Sequence, residues 1–409
     1  MKKLLILFSL MLCLLSDLKS QVKDDGKFGI SLSGFVKYDM FYDSRVTQSI
    51  REGHFMIFPE KEVLNSYNED INAKPSFNFL SIQSRVLGKI SGPDFFDAKT
   101  SGLIEGEFFG TSDADVNGFR LRHAYVKLDW ESFSILAGQF WHPMFVTDCS
   151  PATISFNTGA PFQPFSRNPQ LRFTIKANKL NIIAAAMSQR DFQSNGPNGF
   201  SSVYLRNSLI PDLHLQFQYK EDKYLFGFGG GYKSLMPRTI TTKNITTDIR
   251  INSFSALAYA KFVFNDLTLK IEGVWGQNLA DYTMLGGYAV KSFDTTTGKE
   301  EYTNLSSLSS WLELSYIKNI ELAIFVGYIK NIGTDDNTTG IYYTRGGNID
   351  YQFRISPRFA IISGKTKIAT ELEITSASIG INNNNDKGKV INGKTVTNIR
   401  GLVSFIYNF

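Results

Sequence analysis

Alternation with a period of two runs through almost the whole chain, and it leaves few folds open. Residues 213–220 read LHLQFQYK, with Leu213, Leu215, Phe217 and Tyr219 on one face of an extended strand and His214, Gln216, Gln218 and Lys220 on the other. IDYQFRIS at 349–356, LRFTIKA at 171–177 and LTLKIEG at 267–273 repeat the pattern. No long stretch places apolar residues at i, i+3, i+4 and i+7, so helical signals are nearly absent. Each strand has one apolar side and one hydrogen-bonding, often charged side.

A soluble sandwich also alternates, so the spacing of the connections decides. Short turns fall at Gly92-Pro93-Asp94, Glu131-Ser132, Asn178-Lys179, Glu221-Asp222, Asn265-Asp266, Lys318-Asn319 and Ser363-Gly364-Lys365. Longer polar loops lie between them, near 44–76, 111–118, 146–167, 191–207, 233–250, 276–306, 332–344 and 381–393. Seven short turns and eight long loops join sixteen strands and put both chain ends on the short-turn side. This is the layout of an all-β, antiparallel, up-and-down transmembrane barrel with short periplasmic turns and long extracellular loops. Closure matters because lipid offers no partner to an unpaired backbone N–H. Tyr38, Tyr42, Trp130, Tyr219, Tyr224, Trp275, Tyr316 and Tyr351 fall toward strand ends, where interfacial girdles are expected. The C-terminal GLVSFIYNF reads as the last strand, with Val403, Phe405, Tyr407 and Phe409 toward lipid. A terminal Phe409 in that phase is expected to engage the outer-membrane assembly machinery.

Residues 1–20 carry Lys2 and Lys3, the apolar run LLILFSLMLCLL and a polar stretch ending in Ser20, the layout of a secretory leader. Leu12 stands before Cys13, where a lipoprotein needs a small residue. The barrel domain is then 21–409. Removing Lys2, Lys3, Lys19 and Asp17 from the 43 basic and 38 acidic side chains leaves 40 and 37, a formal charge of +3 that does not indicate nucleic acid. Beyond the leader no apolar run approaches the roughly 20 residues of a membrane helix. Cys149 alone cannot form an internal disulfide.

If the apolar phase meets lipid, the polar phase lines a lumen, and arginine is prominent in it. The hairpin turning near residue 114 sets Glu105 and Glu107 beside Arg120 and Arg122; the one at Gly364 sets Glu371 and Glu373 against Arg354 and Arg358. Rows of opposed charge discriminate polar from apolar solutes, although paired charges also serve merely to solvate a wall. Arg85, Arg172 and Arg167 have no equally obvious carboxylate neighbour, which favours a mild anion preference. The candidate constriction is therefore Arg85, Glu105, Glu107, Arg120, Arg122, Arg167, Arg172 and Arg354. The loop at 146–167, with Pro151, Pro161, Pro164, Phe156, Phe162 and Phe165, is too apolar for a solvated surface. It reads as a constriction loop folded inward, a latch over a neighbouring subunit, or plain surface packing.

SGFVKYDMFYDSR at 33–45, GFRLRHAYVKLDW at 118–130, LAGQFWHPMF at 136–145 and RNPQLRFT at 167–174 resemble the DcaP-like family of trimeric outer-membrane porins. The resemblance implies a sixteen-stranded homotrimer whose arginine-rich constriction favours small anionic solutes such as dicarboxylates, and it points to Arg120, Arg122, Arg167 and Arg172. The N-terminal coiled coil of some members is not expected, since strand signals begin within ten residues of Gln21.

Other signals weigh less. DADVNG at 113–118 opens like a calcium loop, yet Ala124 stands where the closing Glu belongs. FGFGGGY at 226–232 lacks the third spaced glycine and the following helix of a nucleotide fingerprint. His123 falls in the outward phase with Leu121 and Tyr125, which suits a subunit contact better than a catalytic site. The sequence thus reads as a porin of a Gram-negative outer membrane, with no enzymatic site, cofactor or metal, contacting lipid, lipopolysaccharide and small polar or anionic solutes. The rivals are a substrate-specific uptake channel, a barrel hydrolase, and an adhesive barrel with a plugged lumen.

Overall fold

The computed structural model describes residues 28–409; the leader expected at 1–20 lies outside the described residues. Sixteen antiparallel strands form the wall: β1 (Gly29–Asp43), β2 (Ser76–Leu80, continued by Arg85–Ser91), β3 (Lys99–Glu107), β4 (Arg120–Asp129), β5 (Phe133–Trp141), β6 (Arg167–Ala177), β7 (Leu180–Met187), β8 (Asp212–Lys220), β9 (Tyr224–Leu235), β10 (Ile251–Phe264), β11 (Leu267–Gln277), β12 (Glu300–Ile317), β13 (Ile320–Thr334), β14 (Ile349–Ser363), β15 (Thr366–Asn383) and β16 (Lys389–Asn408). β16 pairs with β1 from Phe35↔Asn408 to Asp43↔Arg400, and this closes the cylinder. Gly286–Phe293 and Tyr342–Arg345 extend the sheet above β12, and Thr47–Ile50 pairs with Phe55–Pro59 as a separate hairpin. Among the described residues no helix is long and apolar enough to cross a membrane.

All seven expected short turns occur where the sequence places them. The eighth long loop does not: the ladder of β15 and β16 runs on to Asn383↔Lys389, leaving a turn of residues 384–388. A hairpin can continue beyond the bilayer because its ladder bonds do not depend on which side chains the strands carry.

Parity holds the wall in lipid. Along β16, Phe405, Tyr407 and Phe409 are exposed while Leu402 and Ser404 are buried inside. Tyr219 and Tyr224 near one rim and Tyr42 and Trp275 near the other are exposed rings, as an interfacial girdle requires. Together with the closed ladder, this apolar exterior makes the protein an outer-membrane barrel of the Gram-negative type.

β4 breaks parity where it bears on the charged wall. The β3–β4 ladder shifts at Glu105↔His123 and Gly106↔Leu121, so β4 carries an extra residue there. A bulge moves every later side chain to the other face. His123 and Tyr125, expected outside with Leu121, therefore point inward, and exposed Val126 takes the lipid face.

Inward loops narrow the lumen. Residues 142–166 turn inside, burying Met144, Cys149, Phe156, Phe162 and Phe165, so of the three readings of this loop the inward one holds. It travels along the wall from β8 round to β1. Lys270 Nζ donates to Ser150 O at 2.8 Å, Glu313 accepts the Ala152 N–H at 2.8 Å, Glu371 accepts the Ile154 N–H, and Lys37 Nζ donates to Ile154 O at 2.6 Å. Asn157 Nδ2 to Glu373 at 2.7 Å and Arg354 Nη1 to Ala160 O at 3.0 Å fix the return. Buried loop backbone needs such partners, and the polar inner face of the strands supplies them. The second loop, the hairpin within 47–59, had no inward reading from sequence. Its Phe55, Met56 and Ile57 are buried, with the Phe55 ring 5.5 Å from Phe156 and 5.4 Å from Phe165.

Candidate functional site

The loop packs along β8–β16 and β1, with Phe145 and Phe165 also against Trp141 of β5, and the lower part of the opposite wall, β4 to β6, keeps inward side chains toward open space. Lys127, Asp129 and Lys176 are each about a third exposed there. The charged cluster above them is built by register. Arg85 of β2 lies opposite Glu107 of β3, and Glu107 lies opposite Arg120 of β4, so the strands alternate in sign.

Glu107 is fully buried at the centre. Arg85 Nε stands 3.2 Å from it, Arg120 Nη2 2.7 Å, Arg122 Nη1 2.5 Å and Arg167 Nη1 3.6 Å. Asp191, from the loop after β7, takes Arg120 Nη1 at 2.9 Å and Arg167 Nη2 at 2.7 Å. Glu105 receives Arg122 Nε at 3.1 Å and His123 Nδ1 at 2.5 Å. Charges held this far from water persist only when paired and hydrogen-bonded. Arg51, from the inward hairpin, donates to Gly110 O at 2.9 Å and lies 4.9 Å over the Phe109 ring.

Seven of the eight residues singled out from sequence thus share one wall. Arg85 and Arg167 do have carboxylate partners, contrary to expectation: Glu107 serves both, and Asp191 also serves Arg167. Arg172 does not. Its Nε donates to Gln170 Oε1 at 2.9 Å and its Nη2 to Trp141 O at 2.5 Å, with the guanidinium 5.3 Å over Phe140. Among the described residues it makes no ion pair. Arg354 lies apart from the other seven, fully buried beneath the loop, 3.5 Å from Glu373 and 5.4 Å over Phe162. Arg358, expected against Glu371 and Glu373, instead bonds Glu313 at 2.8 Å and Glu321 at 2.5 Å on the preceding strands. Arg51 and Asp191 escaped sequence reading because both sit in loops, where period two says nothing of direction.

The cluster carries six guanidiniums, Arg51, Arg85, Arg120, Arg122, Arg167 and Arg172, against Glu105, Glu107 and Asp191, an excess of three positive charges. Guanidinium stays protonated at every relevant pH, so the field it sets is permanent. His123 packs on Phe140 and Trp141, with centroids at 5.2 and 5.5 Å, and no described hydroxyl bonds to it. Asp113 accepts the Glu52 N–H at 3.1 Å, and Asp115 bonds Thr111 at 3.4 Å, so the DADVNG carboxylates serve the loop itself.

No family model matches the sequence. No curated protein matches it significantly. Solved structures do match. The outer membrane channel DcaP of Acinetobacter baumannii superposes with a TM-score of 0.69 at 15% identity, covering 96% of this chain and 99% of that one. OmpT of Vibrio cholerae gives 0.54 at 11%, covering 96% and 99%, and Salmonella typhi OmpF in complex with daunomycin 0.52 at 13%, covering 93% and 97%. The likeness to DcaP that the sequence motifs carried is thereby matched by the three-dimensional fold, and the chain has the sixteen-stranded fold of outer-membrane channels.

Proposed function

We propose that the protein is a porin, exported by the leader at 1–20, that lets small hydrophilic solutes diffuse through a constriction favouring anions. The observation that carries the reading is the unequal charge of the β2–β6 wall, with Arg172 free of any carboxylate on the side that faces open space. Fixed positive charge in a narrow aqueous passage lowers the energy of an anion and raises that of a cation. Dicarboxylates suit such a wall because two separated carboxylates can meet two guanidiniums. Planar-bilayer recording in a salt gradient tests this: the reversal potential should have the sign of anion selectivity, and a cation-selective or silent protein would end the proposal.

The assembly is a homotrimer, as the motif resemblance implies and as the trimer form of Vibrio OmpT, similar in fold, supports. Phe409 is the end offered to the assembly machinery, and the outer face meets lipid and lipopolysaccharide. A second reading, a saturable uptake channel, draws support from Arg172 lying against the Phe140 ring. Block of conductance by one solute at low concentration distinguishes it. We read the protein as a channel in preference to a hydrolase, a reading supported by the inward His123 bonding Glu105 instead of a serine or threonine.

A further inference from the structure

Lysines from β8, β10 and β11 share one row at the periplasmic end of the barrel. Lys220 lies opposite Leu225 of β9, Leu225 opposite Lys261, Lys261 opposite Lys270, and Lys270 opposite Glu313 of β12. The row faces inward: Lys220 continues the phase of buried Gln216 and Gln218, Lys261 that of Leu257 and Tyr259, and Lys270 that of Glu272. Like charges directly opposite on neighbouring strands repel, so Lys261 beside Lys270 costs stability unless negative charge offsets it.

Two of the three lysines have that offset. Lys270 Nζ donates to Glu313 at 3.0 Å and to Ser150 O at 2.8 Å. Lys220 Nζ pairs at 2.7 Å with Asp148, where the inward loop comes down to the mouth. Lys261 makes no ion pair among the described residues, and neither does Lys223 of the β8–β9 turn. Both line a cavity of about 370 Å³ with Leu225 and Val263 on its apolar side. That volume lies within the roughly 300–1,000 Å³ of small-molecule pockets. The carboxylates around it are mostly engaged, Asp148 with Lys220, and Glu221 with Lys179 and the Tyr219 hydroxyl. Among the described lining residues, Asp222 on the turn is the one carboxylate without a cation partner, so two unpaired ammonium groups outnumber it.

We infer that this cavity binds a small oxyanion, a carboxylate or a phosphate, through Lys261 and Lys223, with Lys220 at its edge. A lysine ammonium is a compact charge with three donors and suits either kind of oxygen. Leu225 and Val263 give a short carbon skeleton something to pack on. The site stands across the lumen from the arginine cluster and does not depend on the selectivity proposed there. It offers an anion a second resting place, where the lumen meets the periplasm.

The test uses the full chain in isolated outer membranes, with Cys149→Ser removing the buried thiol and Val263→Cys placing one in the cavity. A negatively charged methanethiosulfonate labels that thiol. Inorganic phosphate or succinate competes, each against chloride at matched ionic strength. A Kd of about 10 mM makes labelling about threefold slower at about 20 mM anion. Whichever anion protects names the ligand class. Protection should vanish in Lys223→Gln with Lys261→Gln, weaken in Lys261→Gln alone, and persist in Arg172→Ala, with heat-modifiable migration confirming a folded barrel. No protection by either anion, or protection unchanged by the lysine substitutions, overturns the inference. Protection lost in Arg172→Ala would put the anion at the constriction, and that too overturns it. Pore selectivity is read separately in the bilayer, so a cation-selective pore that still shows protection ends the proposed function and leaves this site standing.

Discussion

Replacing Arg172 with alanine should weaken anion selectivity by an amount that Coulomb's law bounds. Its guanidinium has no carboxylate partner, so removal strands no buried charge; it forfeits the bonds to Gln170 and Trp141. A unit charge about 7 Å from the ion path, at an effective dielectric of about 40, shifts an ion by about 1.2 kcal/mol. A Debye length of about 10 Å at 0.1 M salt reduces this to about 0.6 kcal/mol. Anions lose and cations gain that much, so the anion-to-cation permeability ratio should fall about eightfold. At 1 M salt the screening length of about 3 Å leaves less than a twofold change. The assay is the reversal potential across a planar bilayer under salt gradients at both ionic strengths, with heat-modifiable migration as the check of folding. An unchanged ratio at low salt, or an equal change at high salt, would refute the placement of Arg172 beside the ion path.

The other expectations divide wall chemistry from pore chemistry. Arg354→Ala should leave selectivity unchanged, since the guanidinium is fully buried under the loop, yet destabilise by about 3–5 kcal/mol by leaving Glu373 less paired, measured by denaturant unfolding in detergent. Glu107→Gln should cost a similar 3–5 kcal/mol and make the pore more anion-selective, because four guanidiniums share that carboxylate; a drop in anion selectivity would contradict the geometry. In loop 60–75, slight burial raises the Asp70 carboxyl, but Arg45 and the amides of Val63 and Asn72 outweigh it and hold it below 3.8. Its contribution is therefore full above that value and fades as pH falls through the depressed one. Hydrogen exchange at Val63 and Asn72 should stay slow at pH 5 and accelerate only in stronger acid.

The sign pattern at Glu105, Glu107, Arg120 and Arg122 was legible because residues two apart share a face and a hairpin fixes its own partners. His123 was misread because a single bulge reverses that rule, and its sequence carries no mark of the extra residue. Arg358 was assigned to Glu371 across one hairpin, yet a long side chain chose Glu313 and Glu321 on the other side. Pairing across non-consecutive strands depends on rotamers that strand parity leaves undetermined.

By itself the sequence determined the closed cylinder: alternating side chains, segregated turn lengths and an even strand count are local properties, and in hydrocarbon they admit one way to satisfy every backbone group. Only the tertiary structure decided that residues 142–166 and the hairpin within 47–59 turn into the lumen, that Asp191 neutralises Arg167 while Arg172 stays bare, and that β2 is interrupted at residues 81–84. These outcomes rest on contacts between segments far apart in the chain, where side-chain length, burial and competition for a shared carboxylate outweigh any short-range periodicity.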